Sequence, residues 1–268
     1  MQKLFDKLTI EFRRHKGVLI QEQYEYILNH FNDIVEEDNQ IMLFVLQASG
    51  YPIEYSDGVY KLSTYFTPYQ HQNFCVIDIE TNGSKPSNSQ VIEIGAVMVQ
   101  NGDIIDRFES FVECTYLPEY ITKITGIEPI DLIDAPTQKV VLTKLKEFIK
   151  DSVFVAHNVG FDYSFLNDSF KRFGLGEIGN QKMCTIDLAK RTFESQKYGL
   201  AYLIESLELD ASSHHRAYSD ALCAYQVMQK SFETLPGYVK TTDDLLQFAT
   251  SSKKTRREKN TKPSPTQN

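Results

Sequence analysis

The chain has 268 residues, is 41% hydrophobic and 24% charged, and carries a net charge of −8. That length supports one domain of moderate size plus a smaller one, while no stretch approaches the ~18 consecutive apolar residues of a membrane span. The opening "MQKLFDKLTIEFRRHKG" lacks the apolar core of a signal peptide, and the four widely spaced cysteines, Cys75, Cys114, Cys184 and Cys223, form no Cys-x-x-Cys pair. Reduced thiols, a cytoplasmic location and no membrane contact are expected.

The charge is unevenly spread. Residues 251–268 hold six bases against Glu258, a net +5, which leaves −13 for residues 1–250. An acidic body still admits a polyanionic partner where its acids hold divalent cations.

Residues 1–70 read as a helical module closed by a small hairpin. "QEQYEYILNHFND" carries a helical stripe at Tyr24, Ile27, Leu28 and Phe31. "NQIMLFVLQASGYPI" reads as a second helix ended by Gly50 and Pro52, and Asp57-Gly58 marks a hairpin turn. Helix, helix and hairpin resemble a winged helix. With ten acids and six bases in this section, docking to protein, or bracing, competes with DNA reading as its role.

Residues 71–236 alternate strands and helices. The stretch "FCVIDIETNG", residues 74–83, is an apolar strand that ends in Asp78 and Glu80. "QVIEIGAVMVQNG" and "DIIDRFESFVE" follow as two further strands with a turn at Asn101-Gly102, which gives an antiparallel meander. "TQKVVLTKLKEFIKD" is an amphipathic helix, "SVFVAHN" a buried strand and "FDYSFLNDSFKRFG" a helix. "QKMCTIDLAKRTF" starts extended and turns helical, and "AYSDALCAYQVMQKSFETL" is a long closing helix. The fold class expected is α/β, a mixed five-stranded sheet flanked by helices. Residues 237–250 allow a short helix. The tail beyond, polar and charged with Pro263 and Pro265, is expected to be disordered.

Asp78 and Glu80 share one face of their strand, about 7 Å apart. Two close carboxylates repel and lose hydration when buried, so a pair at the end of a central strand points to a cation site. Asp162 stands where a buried strand passes into a helix; taken alone, it reads first as an acid favoured by the helix dipole. Asp220 lies one turn into the last helix among Ala221, Leu222 and Ala224. His215 precedes it by five residues, with His214 as a rival. His157, after its apolar strand, reads first as a structural hydrogen-bonder.

In this order and spacing, "DIETNG", "HNVGFD" and "HRAYSDA" resemble the three exonuclease motifs of the DnaQ-like 3′–5′ exonucleases of the DEDDh type, on the ribonuclease H-like fold. The loop "ITKITGIEP" is similar to a segment that family places near its substrate. The resemblance covers about residues 73–235, and among relatives the chain looks closest to the proofreading epsilon subunit of bacterial DNA polymerase III. The helical module before the first motif departs from that subunit, which puts its partner contacts in doubt.

The resemblance implies two divalent cations, Mg²⁺ or Mn²⁺, held by Asp78, Glu80, Asp162 and Asp220, with His215 as general base. These five are the expected catalytic residues. It implies release of nucleoside 5′-monophosphates from single-stranded or frayed 3′ ends of DNA, with RNA as the alternative substrate. Substrate contacts are expected as a group from Ile79, Thr81, Thr125, Gly126, Ile127, His157, Asn158 and Phe161. The catalytic subunit of DNA polymerase III is the expected partner. "MQKLF" is faintly similar to a sliding-clamp-binding peptide, and the basic tail reads as a phosphate-binding arm, a tether or a solubilising end. A mainly non-catalytic docking subunit of the replication machinery is the reading from another class.

Overall fold

A computed structural model describes residues 1–31, 38–209 and 215–250. His214 and the basic tail lie outside the described residues.

The first section is built on an apolar stripe. Leu4, Phe5, Leu8 and Phe12 recur at helical spacing in α1 (Gln2–Arg14) and are buried. β1 (Val18–Ile20), α2 (Gln21–Leu28) and α3 (Asn39–Ala48) follow. The Asp38 carboxylate caps α3 by accepting the Gln40 amide at 2.7 Å. β2 (Ile53–Ser56) and β3 (Val59–Leu62) are joined at Asp57-Gly58, both at positive φ (56° and 78°). That is the conformation a two-residue hairpin turn demands. The three strands form an antiparallel sheet in the order β1-β3-β2. At three residues, β1 is too short for its alternation to be read in advance.

α4 (Ser63–Phe66) leads into the main sheet, β4 (Phe74–Thr81), β5 (Val91–Gln100), β6 (Asp103–Phe111), β7 (Val153–Ala156) and β8 (Lys182–Cys184), in the order β6-β5-β4-β7-β8. β4, β5 and β6 are antiparallel neighbours, while β7 runs parallel to β4 and β8 to β7. Between and around them lie α5 (Glu119–Thr125), α6 (Pro129–Ile133), α7 (Gln138–Ile149), α8 (Val159–Arg172), α9 (Thr185–Thr192), α10 (Leu200–Ser206), α11 (Ala217–Phe232) and α12 (Thr242–Thr250). The mixed five-stranded sheet flanked by helices is the architecture expected. α5, α6 and α10 add to it; at five to seven residues each, they fall below the length at which apolar periodicity is legible.

Strand alternation divides two cores. Cys75, Ile77 and Ile79 face α7 and α8, packing with Val141, Leu145, Phe165 and Phe170. Phe74, Val76, Val97 and Val99 face the other way, against Leu188 of α9, Ala224 and Met228 of α11, and Leu245 and Phe248 of α12. α12 is thus part of the sheet's cover. It also meets the first section: Arg13 donates to Asp243 Oδ1 at 2.8 Å, and the Thr242 amide donates to Thr67 O at 2.8 Å. Near the other end of α1, Gln2 Nε2 donates to Ile178 O at 2.6 Å.

Candidate active site

The row of side chains on the α11 face of β4 changes character along the strand. It reads Phe74, Val76, Asp78, Glu80: apolar under the helix, acidic at the carboxyl end. The last pair is half-buried. On the neighbouring strand, Gly95 lies opposite Asp78 and Glu93 opposite Glu80. Residues directly opposite in an antiparallel pair share a face, so Glu93 points to the same side as the two acids.

Asp162 reaches the cluster from the first turn of α8, 3% exposed. Asp220 comes from the first turn of α11, 6% exposed. His215 sits two residues before α11, exposed, with φ 63°; a non-glycine residue held there costs roughly 1–3 kcal/mol, and such strain concentrates at functional sites. Ligand atoms of Glu80, His215 and Asp220 all lie within 4.8 Å of one another. Sequence spacing alone had joined His215 to Asp220; the fold adds Glu80.

The electrostatics are those of crowded, desolvated carboxylates. Burial pushes Asp78 well above the ordinary carboxylate range, and Asp162, Asp220, Glu80 and Glu93 push it further. Burial raises Glu80 to about 8; Asp220, Glu93 and Asp162 add to the rise, and Arg216 opposes it. Burial raises Asp162 to about 7, against backbone hydrogen bonds from its own amide and from that of Ile79. Burial and mutual repulsion disfavour the charged forms of Asp78, Glu80 and Asp162, and Asp220 brings a fourth carboxylate to the same cleft. Hard oxygen donors in this number fit divalent cations such as Mg²⁺ or Mn²⁺.

Glu93 and Gly95, outside the three motifs, also shape this site. Arg216 donates through Nε and Nη2 to the Glu93 carboxylate, at 3.1 and 2.8 Å to Oε1, and the Ala217 amide donates to Glu93 Oε2 at 3.1 Å. Glu93 is 1% exposed. Next to it, Gly95 lets the backbone of Ala217 and Tyr218 lie directly on the strand, where a Cβ would collide. The available signal was an acid and a glycine inside the otherwise apolar "VIEIGAV": a glycine within a strand often marks close backbone approach.

The expected substrate contacts divide. Asn158 and Phe161 are exposed beside Asp162 at the start of α8. Ile79 is not placed to offer its side chain, which alternation sends into the core with Ile77 and Ile94; its amide reaches Asp162 instead. Thr81 is 8% exposed and donates its hydroxyl to Gly83 O. Thr125 and Ile127 are buried; the Thr125 hydroxyl donates to Ile121 O and accepts the Ile127 amide, and Gly126 ends α5 at φ 71°. The Thr125 side chain is spent on the turn and that of Ile127 packs with Cys114 and Leu132, which leaves the Gly126 backbone and its exposed neighbours to meet a ligand. His157 uses both ring nitrogens, at 2.8 Å to Thr185 Oγ1 and 2.9 Å to Tyr198 O. Burial lowers it to about 4, so it is neutral, with Nε2 protonated toward the carbonyl.

Comparison with known proteins places this arrangement. A family model described as an exonuclease matches residues 75–228. The PolC-type DNA polymerase III of Caldanaerobacter subterraneus subsp. tengcongensis is 34% identical over 224 residues, 82% of this chain and 16% of that protein. The PolC-type polymerase of Staphylococcus aureus is 38% identical over 181 residues, 66% of this chain and 12% of its own. The chain thus spans less than a fifth of the length of these relatives. The first match covers more residues than follow position 70, so it enters the amino-terminal section. Among solved structures, exonuclease X in complex with 5′ overhanging duplex DNA superposes with a TM-score of 0.52 and 24% identity, over 66% of this chain and 99% of that one. E. coli exonuclease I with a dT13 oligonucleotide gives 0.54 and 18%, over 61% and 41%. These likenesses establish the fold as that of the ribonuclease H-like nucleases. The chain belongs to the exonuclease family, within its DnaQ-like 3′–5′ branch.

Proposed function

We propose that this chain is a metal-dependent 3′–5′ DNA exonuclease that removes nucleoside 5′-monophosphates from single-stranded or frayed 3′ ends, and that it proofreads for a DNA polymerase III. The observation that carries the reading is the convergence of Glu80, His215 and Asp220 within 4.8 Å, beside the buried Asp162 and the half-buried Asp78. The relatives named as PolC-type polymerases support the replicative setting. The finer role we propose is that of a proofreading epsilon subunit.

Asp78, Glu80, Asp162 and Asp220 would hold two Mg²⁺ or Mn²⁺ ions. Bound there, the cations supply positive charge to a phosphodiester under attack and to its leaving oxygen. The carboxylates' contribution is to gather four oxygen-donor groups from β4, α8 and α11 in one cleft. His215, exposed at the mouth, takes the proton of the attacking water on a ring nitrogen, the general-base role a positioned imidazole most often fills. Phe161 offers a ring face for a base, since stacking grips a single strand without reading its sequence. We divide the chain into a module at 1–70, the exonuclease domain at 71–236 and a carboxy-terminal segment at 237–268, with the first or last as the site of polymerase or clamp contact.

The test is degradation of a 5′-labelled single-stranded DNA with Mg²⁺, with and without EDTA, beside an RNA of the same sequence. A metal-dependent ladder shortening from the 3′ end of the DNA supports the proposal. A ladder on RNA alone keeps the chemistry and overturns proofreading; no ladder on either, with Mn²⁺ also failing, overturns both.

A further inference from the structure

Glu93 is an acid on the same face as Asp78 and Glu80, yet its carboxylate is already engaged. Arg216 donates to it through Nε and Nη2, and the Ala217 amide donates to Oε2. Hydrogen bonds between charged groups are roughly twice as strong as neutral ones. The Arg216 guanidinium is also held over the Phe111 ring, 5.1 Å from its centroid. Three features of the central strand pair and its neighbour therefore fix the entry to α11: the Glu93 carboxylate, the missing side chain at Gly95 and the Phe111 face. The residue immediately before this anchored arginine is His215, in a left-handed conformation. An unanchored backbone would relax out of that conformation, and the ring would leave Glu80 and Asp220.

We propose that Glu93 and Arg216 form a positioning pair for His215, holding its imidazole against Glu80 and Asp220, and that Glu93 is not a cation ligand despite its place among the acids. The inference rests on the exonuclease reading for its kinetic consequence and on geometry alone for its structural one.

The experiment compares the native chain with Glu93→Gln, Arg216→Met, the double variant, and each single change combined with His215→Ala. Folding is checked by thermal melting. The rate is followed on single-stranded DNA with saturating Mg²⁺. Each single variant should lower kcat by about 10- to 100-fold, the scale set by ~1 Å displacement of a reacting group, with KM near native, as for an interaction that counts in the transition state. The double variant should equal either single one, because the two residues act as a unit. With His215→Ala, neither change should cost more. A loss of the same size in that background, or native kcat in the single variants, overturns the proposal. A second readout needs no activity: the ring Cε1–H resonance of His215 in metal-free protein, identified by its absence in His215→Ala, should shift and broaden in Glu93→Gln and Arg216→Met. An unmoved resonance overturns the positioning claim. If the native chain degrades no DNA, the exonuclease reading fails, while the resonance still decides the role of the pair.

Discussion

Gly95→Ala is the smallest change that should disable the site from outside it. A Cβ at Gly95 would fall inside the contact distance of the Tyr218 amide nitrogen and Cα and of the Ala217 carbonyl carbon. All three are backbone atoms of the first turn of α11, so no side chain can swing away. Relief needs roughly 1 Å of separation between helix and strand in an interior packed to crystal density. Overpacking of this kind costs about 1–3 kcal/mol, and each kcal/mol lowers Tm by roughly 2–4 °C in a domain of this size. The functional cost is larger. Asp220 rides on the displaced turn and His215 stands two residues before it, and a ~1 Å misplacement costs on the order of 100-fold, or about 2.7 kcal/mol of transition-state stabilisation.

The assay is turnover of single-stranded DNA with Mg²⁺, well below the variant's Tm, with circular dichroism as the check on folding. Gly237→Ala is the control, since a Cβ there meets nothing within 4 Å; it should leave the rate native. A folded Gly95→Ala protein with native kcat would refute the claim that close packing of α11 on β5 sets the catalytic geometry.

The remaining predictions concern charge and the base. In metal-free protein, Glu80 is raised from 4.5 to about 8 and Asp162 from 3.8 to about 7. A carboxyl whose folded value is raised contributes stability that is present below its unfolded value and lost as pH climbs through the folded one. Tm without metal should therefore fall between about pH 4 and pH 8, Asp162→Asn should flatten part of that fall, and Mg²⁺ should raise Tm more at pH 8 than at pH 5; a flat metal-free profile counts against a buried acidic cluster. Asp78→Ala should abolish metal-dependent degradation while the circular dichroism spectrum stays native, and undiminished rates would remove Asp78 from the site. His215→Ala should slow degradation strongly and His214→Ala little; the reverse moves the base by one residue. Arg13→Met should leave the buried Asp243 carboxylate, 1% exposed, short of its partner and cost roughly 1–3 kcal/mol, read as a lower Tm with kcat native at 25 °C.

What could be read from the sequence divides along physical lines. Asp78 and Glu80 stood out because β4 is otherwise apolar and its period of two is unambiguous. Asp162 stood out because it follows a buried strand at the start of a helix, and Asp220 because it interrupts a small, apolar run. The three meander strands and the long helices were legible from alternation and from apolar stripes such as that of α7. The short helices α5 and α6 were not, and with them the true surroundings of Thr125 and Ile127: a local motif names residues near a substrate without saying which side chains the turn itself consumes. His157 shows the same limit, since its partners Thr185 and Tyr198 lie 28 and 41 residues away. Residues 237–250 allowed a short helix and no more; the burial of α12 depends on the distant α4 and α9, which no local pattern announces.

Glu80 and Glu93 sharpen the point. Both are glutamates, both lie on central strands, and they face each other across the β4–β5 ladder. Like charges directly opposite are destabilising, so each must be offset by something. Glu93 is offset by Arg216 and the Ala217 amide. The same guanidinium acts on Glu80 last among its influences, behind burial and three acids. The fold therefore satisfies one glutamate internally and leaves the other to be neutralised by a proton or by a cation from solution. No pattern in "DIET" and "VIEIG" distinguishes the two. The difference arises where α11 begins, more than a hundred residues further on, and on the roles proposed above it separates a residue that holds the site in shape from one that would bind a cation.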